Sequence, residues 1–366
     1  MISRLLTCVF AFTLFASAAE KIQVTTVSST EKLDLHALPA HIGGRVLQLG
    51  TQDAPSFQRQ WPGTYFETAF VGANIYFKLG SGDAILKITV DTQPSQSLTK
   101  PAPGLYTIRG LSKQHHNIRL EIITESQAAP TTFDGFYATS ATKPAHTGPH
   151  PLQIEFIGDS HTVGYGNTSP KRECTEDQVW ATTDTSQGIA PLVARRYHAD
   201  YQVNAISGRG IVRNYNGFPA DPLPVAYPYA LFDHTARYDD PNWHPQVIVI
   251  SLGTNDFSTP LHDGEKWKTR DDLHADYEKT YAEFLRQLRA KNPGAYLILW
   301  ATDAADGEIL SEVQRVVTQV RATGEKRITV VPVKHLEVTG CNYHPSLNDD
   351  RNIAQAISSA LNLNKK

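Results

Sequence analysis

The chain has 366 residues, with 34 lysines and arginines against 37 aspartates and glutamates, and a formal net charge of -3 at pH 7. The sequence carries no basic block, which argues against nucleic acid or an anionic membrane surface as a main partner. Since a chain of this length exceeds the usual size of a single hydrophobic core, two domains are expected.

The N-terminus has the parts of a secretory signal peptide. Arg4 supplies a positive charge, residues 5–15 form an apolar run, and residues 16–19 are alanines and a serine suited to cleavage. The apolar run is shorter than the roughly 20 residues of a membrane helix, and no later stretch approaches that length. We therefore predict a signal peptide over residues 1–19 and a mature protein that is secreted or periplasmic.

The next part of the chain, residues 43–138, alternates apolar and polar side chains with a period of two, which is typical of half-buried strands. One predicted face consists of Val71, Ala73, Ile75, Phe77 and Leu79. Similar alternation recurs over 86–90 and 118–122, with turn signals between the runs. The pattern predicts an antiparallel β-sandwich of jelly-roll type over residues 20–145.

A proline-rich stretch over residues 142–151 is typical of a linker, and the periodicity changes after it. Buried-type strands are predicted at 152–157, 201–206, 247–252, 296–300 and 328–331. Helical spacing of apolar residues appears between them. Alternating strands and helices predict a parallel sheet covered on both faces, over residues 146–366, with its chemistry beyond the carboxyl ends of the strands.

Polar motifs follow these strands. Residues 158–161 (Gly-Asp-Ser-His) come after the first, 207–210 (Ser-Gly-Arg-Gly) after the second, 253–256 (Gly-Thr-Asn-Asp) after the third, and 340–345 (Gly-Cys-Asn-Tyr-His-Pro) near the C-terminus. Acyl transfer needs such parts together. The Ser160 hydroxyl would attack, the His344 imidazole would take its proton, and the amides of Ser160 and Gly208 with the Asn255 side chain would stabilise the oxyanion.

The four blocks resemble those of the SGNH (GDSL-like) hydrolases and, more narrowly, of carbohydrate esterase family two. The narrower markers are residues 164–167 (Gly-Tyr-Gly-Asn), 207–210 and 341–345. The resemblance implies a jelly roll joined to an SGNH domain, and removal of acetyl groups from plant polysaccharides or oligosaccharides without a cofactor. It also implies Ser160 as nucleophile, His344 as base, and Gly208 and Asn255 in the oxyanion hole.

One departure from that family concerns the third member of the triad. Many relatives have an aspartate three or two residues before the histidine, whereas Cys341 and Asn342 occupy those positions here. We therefore favour a Ser-His dyad whose imidazole is held by a backbone carbonyl. Asp303 and Asp306, after the fourth strand, are the alternative sources of a carboxylate, although loop aspartates commonly serve in turns.

Loss of the signal peptide would remove Cys8 and leave Cys174 and Cys341. In an oxidising compartment we expect these two to form a disulfide that ties the segment after Ser160 to the segment before His344. Two buried thiols are the alternative.

Side chains near the predicted cleft are candidates for substrate binding, although each is also a candidate for a core or surface role. They are His161, Tyr165, Trp180, Arg209, Trp300 and Tyr343. The chain has 14 histidines, but no pair has a convincing zinc spacing with a third ligand, so no metal site is predicted.

Two other functions fit parts of the pattern. The fold does not fix the acyl donor, so a lipase, thioesterase or peptidoglycan esterase is one alternative. A polysaccharide-binding protein with a decayed hydrolase motif is the other, favoured by the missing aspartate and disfavoured by the retained Ser160, Gly208, Asn255 and His344.

Overall fold

The N-terminal half consists of short strands in two antiparallel sheets. The computed structural model describes residues 22–148 and 150–363, so the predicted signal peptide lies outside the described residues. The strands of this half are β1 Gln23–Thr26, β2 His36–Leu38, β3 His41–Gly43, β4 Leu47–Gln48, β5 Phe57–Arg59, β6 Tyr65–Val71, β7 Ile75–Leu79, β8 Ile85–Val90, β9 Gln96–Thr99, β10 Gly104–Arg109, β11 His115–Ile122, β12 Thr131–Ala138 and β13 Lys143–Ala145. One sheet has the order β1-β10-β7-β12-β5-β4 with β2 beside β12, and the other has the order β13-β6-β11-β8-β9 with β3 beside β6.

The two sheets share one apolar core, which confirms the predicted sandwich. Phe77 from one sheet and Phe66, Ile88 and Leu120 from the other are buried in the same cluster. The single predicted face running from Val71 to Leu79 is wrong. The chain crosses from β6 in one sheet to β7 in the other at residues 72–74, a Gly-Ala-Asn sequence that favours a turn, and Val71 is left 39% exposed.

The C-terminal half is built on a five-stranded parallel sheet with the order β15-β14-β16-β17-β18. Its strands are β14 Leu152–Gly158, β15 Ala199–Ala205, β16 Val247–Ser251, β17 Tyr296–Thr302 and β18 Ile328–Val333. The α-helices are α1 Ser160–Val163, α2 Glu176–Thr182, α3 Ile189–Tyr197, α4 Leu223–Ala226, α5 Thr254–Phe257, α6 Arg270–Lys291, α7 Glu308–Ala322 and α8 Leu347–Leu363. Short 3₁₀ turns lie at Thr185–Gln187, Tyr215–Gly217, Ala305–Gly307 and Cys341–Tyr343.

Helices cover both faces of this sheet, as the alternating pattern predicts. Apolar side chains of α6 and α7 pack on one face, and those of α3 and α8 pack on the other. The buried residues of α6 include Leu273, Tyr277, Tyr281, Phe284 and Leu288, which recur at helical spacing. Within the described part of the chain, none of the helices combines the length and apolar character that a membrane crossing requires.

Side chains of the sandwich enter the core of the C-terminal half and anchor the two halves to each other. Trp61 is fully buried in the cluster formed by α6 and α7, and its indole N–H donates to the Tyr229 carbonyl at 3.1 Å. Arg45 is 1% exposed and donates to the Glu155 carboxylate of β14 at 3.1 Å. A buried charge pair of this kind requires both partners, so the two halves hold a fixed relative position.

Candidate active site

The polar motifs meet at the carboxyl edge of the parallel sheet. Ser160 begins α1 directly after β14, Gly208 follows β15, and Asn255 lies in α5 after β16. These three strands are adjacent in the sheet and parallel, so the segments that follow them share one edge. His344 approaches the same edge from the 3₁₀ turn that precedes α8.

A serine and a histidine form the centre of the site. His344 Nε2 lies 2.9 Å from Ser160 Oγ, and His344 Nδ1 lies 3.0 Å from the carbonyl oxygens of both Cys341 and Asn342. Carbonyls only accept, so Nδ1 carries the proton and Nε2 presents its lone pair to the serine hydroxyl. Burial lowers the pKa of His344, against the two carbonyl hydrogen bonds that raise it, which favours a neutral imidazole.

The local backbone explains how two carbonyls reach one ring nitrogen. The turn Cys341–Tyr343 has Asn342 at φ 50° and Tyr343 at φ 60°, both in the left-handed region. Asparagine tolerates this region better than most residues. The backbone carbonyls, and not a carboxylate, therefore orient the imidazole.

The loop that carries His344 is fastened to the segment after Ser160. A disulfide joins Cys341 to Cys174, as predicted, with a Cα–Cα distance of 5.5 Å. The Cys341 amide donates to the Gly166 carbonyl at 3.2 Å, and the Leu347 amide donates to the Asn167 carbonyl at 3.1 Å. Gly166 has φ 56°, and a Cβ there would lie 2.3 Å from the Cβ of Cys341. The Gly-Tyr-Gly-Asn marker therefore forms the seat of the histidine loop.

Backbone donors for an oxyanion lie beside the serine. As the first residue of α1, Ser160 has an N–H without an intrahelical acceptor. Among the described residues the Gly208 N–H has no acceptor either, and the position of a Gly208 Cβ borders open space. The Asn255 Nδ2 atom already donates to Asp159 Oδ2 at 3.2 Å and to the Arg209 carbonyl at 2.9 Å. In this state Asn255 fixes the loop that follows Gly208.

Two buried aspartates hold the turns of the motifs. Asp159 caps α1 by accepting from the His161 amide at 3.1 Å, and burial raises its pKa to about 7. Asp256 accepts from the amides of residues 211–213 at 2.9–3.1 Å, and burial raises its pKa to about 6. Both carboxylates bind backbone amides rather than His344, in keeping with the usual role of short acidic side chains in turns.

The sandwich makes a contact with the loop of residues 207–210 that the sequence does not reveal. Glu125 accepts a hydrogen bond from the Ser207 amide at 2.7 Å, and Gln127 Nε2 donates to the Ser207 carbonyl at 3.2 Å. Burial raises the pKa of Glu125, opposed mainly by the Ser207 hydrogen bonds. In the sequence, these polar residues after β11 are typical of an ordinary turn. Their contact with Ser207 depends on how the two halves pack.

Two of the predicted substrate-binding tyrosines flank the histidine. The Tyr165 ring lies 4.2 Å from the His344 ring, between centroids, and is partly exposed. Tyr343 is 63% exposed, with the Arg172 guanidinium 5.3 Å from its ring. The Tyr165 ring therefore borders the site, whereas the Tyr343 ring faces solvent beside Arg172.

Three of the other candidates need correction. Trp300 is 2% exposed and stacks against His161, which is itself buried, so both rings pack the floor beneath His344 instead of facing solvent. Burial lowers the pKa of His161 to about 3, so this ring is uncharged. Trp180 lies on α2 beneath the Lys100 ammonium, 4.9 Å from its ring, and among the described contacts none joins it to Ser160 or His344.

Arg209 lies beside exposed aromatic residues that were not among the predicted site residues. Its guanidinium lies 5.3 Å from the Phe218 ring, and its Nη1 is buried without a hydrogen-bond partner among the described residues. Phe218 and Tyr215 are each 55% exposed and come after the loop of residues 207–210. The signal in the sequence is the presence of two aromatic residues at the turn Tyr215–Gly217, a few residues after the Ser-Gly-Arg-Gly motif.

The alternative carboxylates lie elsewhere. Asp303 faces His335, whose amide lies 3.3 Å from Asp303 Oδ1, and Asp306 is exposed in the turn Ala305–Gly307. His344 Nδ1 has carbonyl partners only, among the described residues. The described partners of the two His344 ring nitrogens are therefore the Ser160 hydroxyl and two backbone carbonyls.

Comparison with known proteins places this geometry in a family. Residues 42–147 match the carbohydrate esterase 2 N-terminal family, and residues 156–362 match the GDSL-like lipase/acylhydrolase family. An acetylxylan esterase / glucomannan deacetylase of Cellvibrio japonicus is 44% identical over 330 residues, which cover 90% of this chain and 92% of the relative. The chain belongs to carbohydrate esterase family two. This family two esterase is therefore a carboxylic-ester hydrolase with an SGNH catalytic domain.

Solved structures agree with the assignment of the family two esterase. One is of a carbohydrate esterase whose active site displays divergent catalytic and non-catalytic binding functions, with 44% identity and a TM-score of 0.86, covering 89% of this chain and 98% of that chain. Another is a family two carbohydrate esterase from Clostridium thermocellum in complex with cellohexaose, with 26% identity and a TM-score of 0.76, covering 89% of this chain and 99% of that chain.

Proposed function

We propose that this carbohydrate esterase removes acetyl groups from plant cell-wall polysaccharides or their oligosaccharides through an acetyl-enzyme on Ser160. The name of the Cellvibrio japonicus relative, acetylxylan esterase / glucomannan deacetylase, supports the choice of substrate. The observation that carries the mechanism is the 2.9 Å contact between Ser160 Oγ and His344 Nε2. Xylan and glucomannan are the acetylated polymers to test first.

In the acylation step, Ser160 Oγ attacks the acetyl carbonyl carbon while His344 Nε2 takes the hydroxyl proton. The carbonyl electron pair moves to oxygen, and the N–H groups of Ser160 and Gly208 donate to that oxyanion. When the carbonyl re-forms, the bond to the sugar oxygen breaks and this oxygen takes the proton from His344. The products are a free sugar hydroxyl and an acetyl ester on Ser160.

Deacylation repeats the same steps with water. His344 takes a proton from water, the hydroxide attacks the acetyl carbon, and the Ser160 oxygen leaves with the proton that His344 held. In both steps the imidazolium is stabilised through Nδ1 by the carbonyl dipoles of Cys341 and Asn342. These dipoles perform the orienting role that a carboxylate has in a triad.

The test is acetate release from acetylated xylan and acetylated glucomannan. We expect release by the wild type, and a loss of at least about 10³-fold in both Ser160→Ala and His344→Ala. His335→Ala is a matched control because His335 is exposed and faces Asp303. Undiminished release by Ser160→Ala would reject the mechanism, and no release from either polymer by the wild type would reject the substrate class.

Chromogenic esters of increasing acyl length separate this proposal from a lipase. The segments around the nucleophile are polar and aromatic, with Asn167, Thr168, Asn342 and Tyr343 near the site. We expect a sharp fall in kcat/KM beyond acetate. A preference for long acyl chains would favour the lipase alternative.

We also propose that the protein is secreted or periplasmic. The charge, apolar run and small residues of 1–19 support this, and so does the Cys174–Cys341 disulfide, because such bonds persist in oxidising compartments. N-terminal sequencing of protein recovered outside the cytoplasm should begin close to residue 20. Cytoplasmic protein that retains residues 1–19 would contradict the proposal.

A further inference from the structure

Outside the active site, three side chains of the kinds that bind metal ions lie close together, each from a separate segment of the chain. His41 of β3, Glu67 of β6 and His150 of the connecting segment offer ligand atoms that all lie within 4.8 Å of one another. His41 and Glu67 are directly opposite in the antiparallel pairing of β3 with β6, so their side chains project from the same face. The two histidines are far apart in the sequence, which is why no local spacing announces the cluster.

The two carboxylates beside the histidines are each held by one oxygen. Arg119 Nη1 lies 2.5 Å from Glu67 Oε1, while Glu67 Oε2 lies 3.3 Å from His150 Nε2. Asp200 Oδ1 accepts from the Tyr65 hydroxyl and from the Tyr201 amide, while Asp200 Oδ2 lies 3.0 Å from His41 Nε2. Protein donors thus fix each carboxylate and leave its second oxygen facing an imidazole, as partners around metal sites do.

The charged side chains around the cluster also favour a bound cation. The side chains in contact around the cluster include the carboxylates of Glu67, Glu121 and Asp200 and one guanidinium, that of Arg119. Three carboxylates against one guanidinium leave an excess of two negative charges before the histidines are counted. The imidazoles of His41 and His150 stack with their centroids 5.3 Å apart, so the two rings lie together beside these carboxylates. A divalent cation would balance this excess.

The geometry allows a tetrahedral ion. Zinc bound at about 2.0–2.1 Å from each donor needs donor atoms roughly 3.4 Å apart, and the present donor atoms all lie within 4.8 Å of one another. Glu67 and His150 also line a cleft of about 880 Å³ between the two halves, so water can reach a fourth position. Two imidazoles and a carboxylate are donors that zinc accepts readily.

We propose that His41, Glu67 and His150 bind a divalent metal ion of the zinc class, with Asp200 orienting His41. The ion would join the sandwich to the connecting segment, residues 142–151, and through Asp200 to β15. This site lies in a different cleft from Ser160 and His344, and its residues are distant from them along the chain. Its role is to stabilise the junction of the two halves. The proposal is independent of the substrate and of the Ser160 mechanism.

The experiment is a zinc titration of the full chain after treatment with EDTA and dialysis. Calorimetry should give one zinc ion per chain. His41→Gln and His150→Gln should each weaken binding by at least about 10-fold. Saturating zinc should raise the Tm of the wild type by about 3 °C or more and shift neither variant by this amount. Cobalt(II) should give the visible absorption of a tetrahedral site in the wild type only.

His146→Gln is the matched control, because His146 is an exposed histidine of the same connecting segment. It should bind zinc as the wild type does. Circular dichroism of each metal-free variant separates a lost ligand from a lost fold. Absence of zinc binding by the wild type, or equal binding by wild type and both variants, overturns the proposal, and so does an equal loss in His146→Gln.

Discussion

The seat of the histidine loop allows a sharp test at Gly166. Gly166→Ala introduces a Cβ that would lie 2.3 Å from Cys341 Cβ and 2.8 Å from Cys341 Sγ. Ordinary contacts between carbon atoms are about 3.5–4.0 Å, so the loop must retreat by roughly 1.2 Å. The Cys341 carbonyl holds His344 Nδ1, so the imidazole moves with it.

The expected magnitudes follow from this displacement. A misplacement of about 1 Å at a reacting group costs on the order of 100-fold in rate, so kcat should fall by about this factor. Stability should fall by about 2–4 kcal/mol, because alanine at φ 56° costs about 1 kcal/mol and overpacking adds about 1–3 kcal/mol.

The assay is kcat on a chromogenic acetate ester together with the Tm of the same preparations. Gly307→Ala is the control, since Gly307 has φ 81° but nothing lies within 4 Å of its Cβ position. That variant should lose only about 1 kcal/mol and keep its kcat. If Gly166→Ala retained kcat within about threefold of wild type, the reasoning that the loop seat positions His344 would be refuted.

Other predictions concern protonation and hydrogen bonds. Because burial lowers the pKa of His344 and activity needs its neutral form, kcat/KM should rise with pH and level off below the ordinary histidine range, and a midpoint above it would contradict this. Asn342→Asp should keep kcat within about fivefold, since carbonyls orient the imidazole; loss of activity would assign the amide a required role. Glu125→Ala should lower kcat by about 10-fold with little change in KM, because the Ser207 amide loses its acceptor. Glu125→Gln preserves an acceptor for that amide and should have a smaller effect. Equal effects of the two variants would exclude this hydrogen bond as the cause. Burial raises the pKa of Asp350 to about 8, so its cost to stability grows as pH rises from about 4 to 8. Asp350→Asn should flatten denaturation midpoints over this interval, and an unchanged slope would count against it.

The sequence predicted those parts of the site that strand order determines. Ser160, Gly208 and Asn255 each follow a buried strand, and parallel strands bring such residues to one edge whatever the details of packing. The sequence also shows that neither residue 341 nor residue 342 is an aspartate. That two carbonyls at 3.0 Å replace it depends on the left-handed turn at Asn342, which the residue type permits but does not require.

The parts that could not be predicted depend on packing between distant segments. The predicted strand at 296–300 extends to Thr302, and Trp300 faces the core beside α3 and α8, so its ring is buried rather than available to sugar. Glu125 reaches Ser207 only because the sandwich packs over the catalytic half. No spacing within either segment encodes that contact.

The buried pair of Arg45 with Glu155, and the packing of Trp61 against α6 and α7, have an evolutionary consequence. A gene rearrangement that separated the two halves would leave the buried Glu155 carboxylate without its cationic partner and a cavity the size of an indole. Neither half is therefore a portable module. The two halves should be gained, lost or duplicated together. Recombination breakpoints that leave a working enzyme should fall before the first half or after the second, and not between them.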